Sequence, residues 1–169
     1  MNYFVLTLRL VHIVSGIFWV GSGLAFFFFV GPTIGATAEA GQKFAQHLMT
    51  KTRFTAVVTT SAILTVLAGS ILYWRDSDGL TSQWMHSGTG LGFAVGAFFG
   101  LLGLIFGIMV GISNGALAKT GSQIQGKPTP EQLEQIGKLR KRLAVVGPIN
   151  VYSLIIAALM MAIARYLTF

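Results

Sequence analysis

The chain has no cysteine, only four prolines and only five acidic residues, and charged side chains make up just 10% of it. Without cysteine there is no disulfide, no thiolate metal site and no cysteine nucleophile. A water-soluble domain carries roughly 25% charged residues, so a charge content this low excludes an ordinary soluble protein. The long apolar runs hold no Asp or Glu, which argues against a carboxylate relay for protons or coupled ions inside a membrane. Ser-His-Asp sets, phosphate-binding loops and HExxH motifs are missing as well. Hydrolase and nucleotide-driven chemistry therefore have no residues to work with.

Hydrophobic residues, by contrast, make up 53% of the 169 positions. They gather into four runs, about 10–30, 54–74, 88–112 and 143–164, with no charge in any interior. Crossing a bilayer takes ~20 residues of helix, and backbone groups in lipid must pair within their own segment. The expected fold is all-α: one domain over 1–169, an integral membrane four-helix up-down bundle. The first run is too long for a signal-peptide core, and no basic residue lies near the start of the chain ahead of Arg9. It reads as a retained span, closed by the Gly31-Pro32 pair.

The formal charge of +7 comes from 12 Lys and Arg residues. Nine of these, from Lys43, Lys51 and Arg53 to Lys119, Lys127, Lys138, Arg140, Lys141 and Arg142, fall in the first and third loops. Only Arg9, Arg75 and Arg165 fall on the other side. The excess places loops one and three in the cytoplasm and both termini outside, an N-out/C-out arrangement. The basic residues thus read as a topology signal with an anionic-lipid contact, and no nucleic-acid partner is expected. The expected location is the bacterial inner membrane.

Short cytoplasmic amphipathic helices are also expected. Thr129-Pro130-Glu131-Gln132 has the form of a helix start, with Thr as N-cap, Pro in the first turn and Gln as the capping-box partner. Leu133, Ile136 and Leu139 mark one apolar face, which predicts a helix lying on the membrane surface ahead of the fourth span. Residues 37–53 predict a similar helix, weakened by Gly41.

Two features inside the spans bear on function. In the third, Gly88, Gly92, Gly96 and Gly100 recur every fourth residue and Gly103, Gly107, Gly111 and Gly115 continue the pattern. Such a stripe lets another backbone approach closely. It serves tight packing within the chain, a homodimer or a larger membrane complex, or it leaves room for a flat porphyrin. In the first span, Arg9, His12, Gly16, Trp19 and Gly23 share one face by three- and four-residue steps. An ionisable residue inside a membrane suggests a functional site, and a neutral histidine ligates haem iron or copper through one ring nitrogen. The plainer reading is a histidine bonded to a neighbouring helix. His86, in Trp84-Met85-His86, falls on the same predicted side. Together His12 and His86 would suit a haem b, with Arg9 and Arg165 pairing its propionates. Met85, Met160 and Met161 would instead suit copper. His47 reads as solvated.

Leu10-Val11-His12-Ile13 with Trp19-Val20-Gly21 resembles the first span of a four-helix membrane superfamily. That superfamily contains copper-resistance D-type proteins, HemJ-type protoporphyrinogen oxidases and uncharacterised predicted integral membrane families. The ending Ala164-Arg165-Tyr166-Leu167 is similar to that of several uncharacterised members. The resemblance implies a haem-binding role for His12. It does not carry over the oxidase branch's third-span lysine, since Gly88 stands near its place. The copper branch would imply copper handling at the outer face. Three functions follow as expectations: a membrane-embedded b-type haem redox protein, held by His12, His86, Gly16, Arg9, Arg165 and Trp19; a cofactor-free accessory subunit of a membrane complex; and copper handling.

Overall fold

The computed structural model describes residues 2–124 and 126–169. Helix α1 runs over Tyr3–Ala25 and continues through a π-helical turn, Phe26–Val30, into α2, Gly31–Ala36. Ala38–Lys51 form α3, and Phe54–Asp76 form α4. Helix α5 spans Gly88–Ser122 after a 3-10 turn at Gln83–His86, and α6 spans Pro130–Ile163 before a final 3-10 turn at Ala164–Tyr166. Four of the helical stretches are long and apolar enough to cross a membrane. The molecule is an all-α four-helix membrane bundle.

Successive spans run antiparallel. His12 lies beside Gly69, Gly16 beside Thr65, and the Phe26 ring stacks on Phe54 with centroids 6.2 Å apart. In the other hairpin Gly92 faces Ala164, Gly96 faces Met161, Gly103 faces Leu154 and Gly107 faces Asn150. Contacts are dense within each of these pairs and sparser between them. The pairs join at the centre, where all four spans contribute a side chain: Trp19, Ala62, Leu104 and Leu154. A second junction is Phe27, whose ring would lie 3.5 Å from a Cβ at Gly147.

Three sequence expectations change here. Gly31-Pro32 does not end the first span. At the π-turn the Gly31 N–H donates to the Phe26 carbonyl five residues back. The widened turn accommodates a proline that has no N–H and would crowd a regular helix. The helix predicted from Thr129 is also not a separate surface element. Its capping box forms as expected, with the Gln132 N–H donating to Thr129 Oγ1 at 3.3 Å and the Thr129 N–H donating to Gln132 Oε1 at 2.9 Å. No proline or glycine lies between Lys138 and Val146, so the ladder of hydrogen bonds runs straight into the fourth span. Finally, Gly41 does not weaken α3. It is the point at which α3 folds back on α2, where any side chain would collide with the Ile34 carbonyl. The preceding turn is tight enough to hold Ala38 at a φ of +46°.

The extra length has a consequence for shape. With 35 and 34 residues, α5 and α6 each extend for about 50 Å at 1.5 Å per residue, well beyond a hydrocarbon layer of about 30 Å. Their far ends project from the basic side, where α3 packs against α5 and Ser113 and Thr120 are buried.

Candidate functional site

The inward seam of α1 is marked by Val5, Ser15 and Trp19, all buried, with His12 half-buried between them. Opposite stand Ala62, Thr65 and Ala68, the buried residues of α4. Their small side chains let α1 come close. The His12 Nδ1 lies 2.8 Å from the Thr65 carbonyl oxygen. A carbonyl only accepts, so Nδ1 carries the proton and donates it. In the neutral ring, the remaining lone pair is then on Nε2.

Gly69 explains why that carbonyl is reachable. A helical side chain four residues on leans back over the carbonyl of the preceding turn, and glycine leaves it uncovered. The imidazole fills the opening: a Cβ at Gly69 would lie 2.7 Å from His12 Cε1 and 2.9 Å from Nδ1. Thr65 turns its own hydroxyl away, donating to the Ser61 carbonyl at 2.7 Å. Its methyl sits 3.6 Å from where a Gly16 side chain would begin. Thr65 and Gly69 are thus the partners of His12. Their signal in the sequence is a Thr-x-x-x-Gly step in span two, which gains meaning only once the antiparallel register pairs residue 12 with residue 69.

The other expected site residues differ in their surroundings. Arg9 is exposed, one helical turn toward the N-terminus from His12. Trp19 is 6% exposed and belongs to the central packing. His86 is exposed at the end of its 3-10 turn, and no hydrogen bond joins it to His12 among the described residues. Its neighbour Trp84 carries the packing there, with ring centroids 5.5 Å from Tyr73 and 6.3 Å from Phe93. Arg165 is exposed in the final turn. Met161 packs on Gly96, its Cε 3.1 Å from where a Cβ would be. Among the described residues no group of three or more His, Asp or Glu side chains is arranged to hold a metal ion.

The third-span glycines divide by face. Gly88, Gly92, Gly96, Gly103 and Gly107 meet the fourth span and the tail that follows it, while Gly100, Gly111 and Gly115 open onto free space. Asn150 joins this interface by donating from Nδ2 to the Gly103 carbonyl at 2.6 Å. At the basic end, Glu39 pairs with Lys43 at 2.7 Å and Glu134 with Lys138 at 2.6 Å. The Lys43 ammonium, hydrogen-bonded to Glu39, holds that carboxyl below the usual carboxylate range. Both pairs are solvent-exposed and contribute little to stability.

No family model, curated protein or solved structure matches the chain.

Proposed function

We propose that the chain is a membrane-embedded b-type haem-binding redox protein in which His12 would hold the haem iron. The observation that carries this reading is the state of its ring. Nδ1 is committed to the Thr65 carbonyl, which leaves Nε2 as the lone pair available to iron. Histidines that bind metals commonly donate their other ring N–H to a carbonyl or carboxylate, which fixes tautomer and orientation. Of the two histidines, His12 would hold the iron in this reading, since His86 is exposed at the end of its 3-10 turn. When bound, haem would supply one-electron chemistry at its iron. The protein's own residues have simpler tasks. Thr65 orients the imidazole, Gly69 leaves room for it, and Arg9 and Arg165 offer cations for propionates at the same end of the bundle. The excess of basic residues in the first and third loops supports an orientation with both termini outside the cytoplasm.

A second reading, a cofactor-free accessory subunit, is favoured by a different observation. The space beside Gly69 is filled by the His12 ring, and that beside Gly16 is met by the Thr65 methyl. His12 would then be a clip between spans one and two, a common role for polar residues in membranes.

An absorption spectrum of the purified protein, expressed with haem supplied, separates the two. The haem reading expects a Soret band that His12→Ala abolishes and His86→Ala leaves in place. No Soret band in the parent protein would sink it and favour the clip. Metal analysis of the same samples detects copper if that is the bound species.

A further inference from the structure

Two open hollows follow one another along an exposed side of the first span. One, of about 330 Å³, is lined by Ile17, Phe18, Gly21, Ser22 and Ala25. The next, of about 350 Å³, lies between α3 and the end of that span, with Phe29, Val30, Thr33, Ile34, Ala40 and Phe44 among its walls. Gly21, Ala25, Phe29, Thr33 and Thr37 succeed one another at four-residue steps and all are exposed, so the two hollows share a face. Such steps drift slowly around a regular helix, and the wider π-turn at Phe26–Val30 takes part of that drift back.

Acyl chains can cover only the first hollow. Phe26 is level with Phe54, the neighbour of Arg53, and Phe29 and Thr37 lie about 5 Å and about 16 Å beyond Phe26 along the helix. The second hollow therefore opens among the headgroups and into water, on the aqueous side of Arg53. There Phe29 and Phe44 are 71% and 53% exposed. Apolar surface gathered outside the hydrocarbon in this way marks a face that a protein partner covers.

We propose that this face is the interface of a parallel homodimer, in which the first spans of two copies pack together about a two-fold axis along the membrane normal. Such an axis brings equal depths together. A second copy therefore presents apolar side chains both within the bilayer and beyond it, where the face needs them. The area suffices as well. With Phe18 57% exposed, the rings of Phe18, Phe29 and Phe44 leave about 360 Å² open at roughly 200 Å² a side chain. Ile17, 67% exposed, with Gly21, Ala25, Thr33, Thr37 and Ala40, brings the face to the order of the 800 Å² that each partner of a standard interface contributes. Between Arg9 and Glu39 the chain holds no Asp, Glu, Lys or Arg, so no like charges meet along the span. The inference is independent of the haem reading, because it uses no residue of the His12 site.

The test is subunit counting of the fluorophore-tagged chain in liposomes at increasing lipid dilution. The parent protein is expected to form dimers. Gly21→Leu places a side chain where a Cβ meets nothing within 4 Å, so it should keep the parent's unfolding temperature and still weaken the dimer. Phe44→Ser should weaken it too, and each loss should be at least about tenfold in dissociation constant. Ala25→Cys, in a chain with no native cysteine, should give a disulfide-linked dimer on oxidation in the membrane. Gly111→Cys, on the free face of the third span, should give none. If Phe44→Ser fails to fold, Gly21→Leu and Ala25→Cys decide the matter. Single copies of the parent protein at every dilution, a dimer that survives Gly21→Leu, or cross-linking through Gly111→Cys in place of Ala25→Cys would overturn the proposal.

Discussion

His12 is a polar side chain on a seam otherwise made of Val5, Ser15 and Trp19, and its position depends on an absence on the facing helix. A Cβ at Gly69 would lie 2.7 Å from its Cε1, and the ring cannot retreat without giving up the Thr65 carbonyl. Gly69→Leu should therefore break that hydrogen bond and lower stability by roughly 1–3 kcal/mol, the usual cost of overpacking a close contact. Under the haem reading it should also remove the Soret band while His12 itself is intact. Thermal unfolding in detergent, with a spectrum of the same sample, checks both. An unfolding temperature equal to that of the parent protein would refute the close-packing account. His12 could be singled out from the sequence because ionisable residues are rare in spans. Gly69 could not, since one glycine among 21 acquires a role only from what stands opposite it.

At the scale of helices, the existence of the four spans and of α3 was legible and their ends were not. Apolar runs free of charge marked all four spans, but hydropathy falls where the hydrocarbon ends, whereas a helix ends where its hydrogen-bond ladder is broken. Hence α5 and α6 run on into the polar region as far as Ser122 and from Pro130. Gly31-Pro32 carries the usual signature of a stop, yet a π-turn just before it absorbs the proline. The glycine stripe shows the same division. Its spacing announced close packing, but only the fold shows which glycines engage the fourth span. A Cβ at Gly103 would lie 2.6 Å from Leu154 Cδ2, whereas one at Gly111 meets nothing within 4 Å. Gly103→Leu should accordingly cost roughly 1–3 kcal/mol by forcing α5 and α6 apart, and Gly111→Leu should be close to neutral. Paired melting curves of the two variants decide it, and equal losses would mean that the faces have been assigned wrongly.

The whole molecule consists of two helical hairpins joined at the centre, at Phe27 and Gly147, and through α3 on α5, with unequal ends. Nine of the 12 basic residues lie at one end, and the arginines at the mouths of spans two and four are separated by about the thickness of a bilayer's hydrocarbon. The absence of native cysteine makes orientation directly measurable. Thr81→Cys, in the loop between spans two and three, should react with a membrane-impermeant maleimide in intact cells, and Pro128→Cys only after permeabilisation. The reverse pattern would invert the topology and place the His12 end inside.

Composition and periodicity alone determined the membrane, the number of spans, the all-α class and the charge asymmetry. Each follows from how a stretch of chain partitions between water and lipid, which depends on that stretch and not on its neighbours. The pairing of His12 with Thr65 and Gly69, the choice of glycines that meet the fourth span, the burial of Trp19 and the return of α3 onto Ile34 were decided only by the tertiary structure. All of these depend on the register between helices far apart in sequence. Lipid rewards burying apolar surface equally on every face, so register is set by shape and hydrogen bonding at the contact itself, and neither can be read from one strand of the sequence at a time.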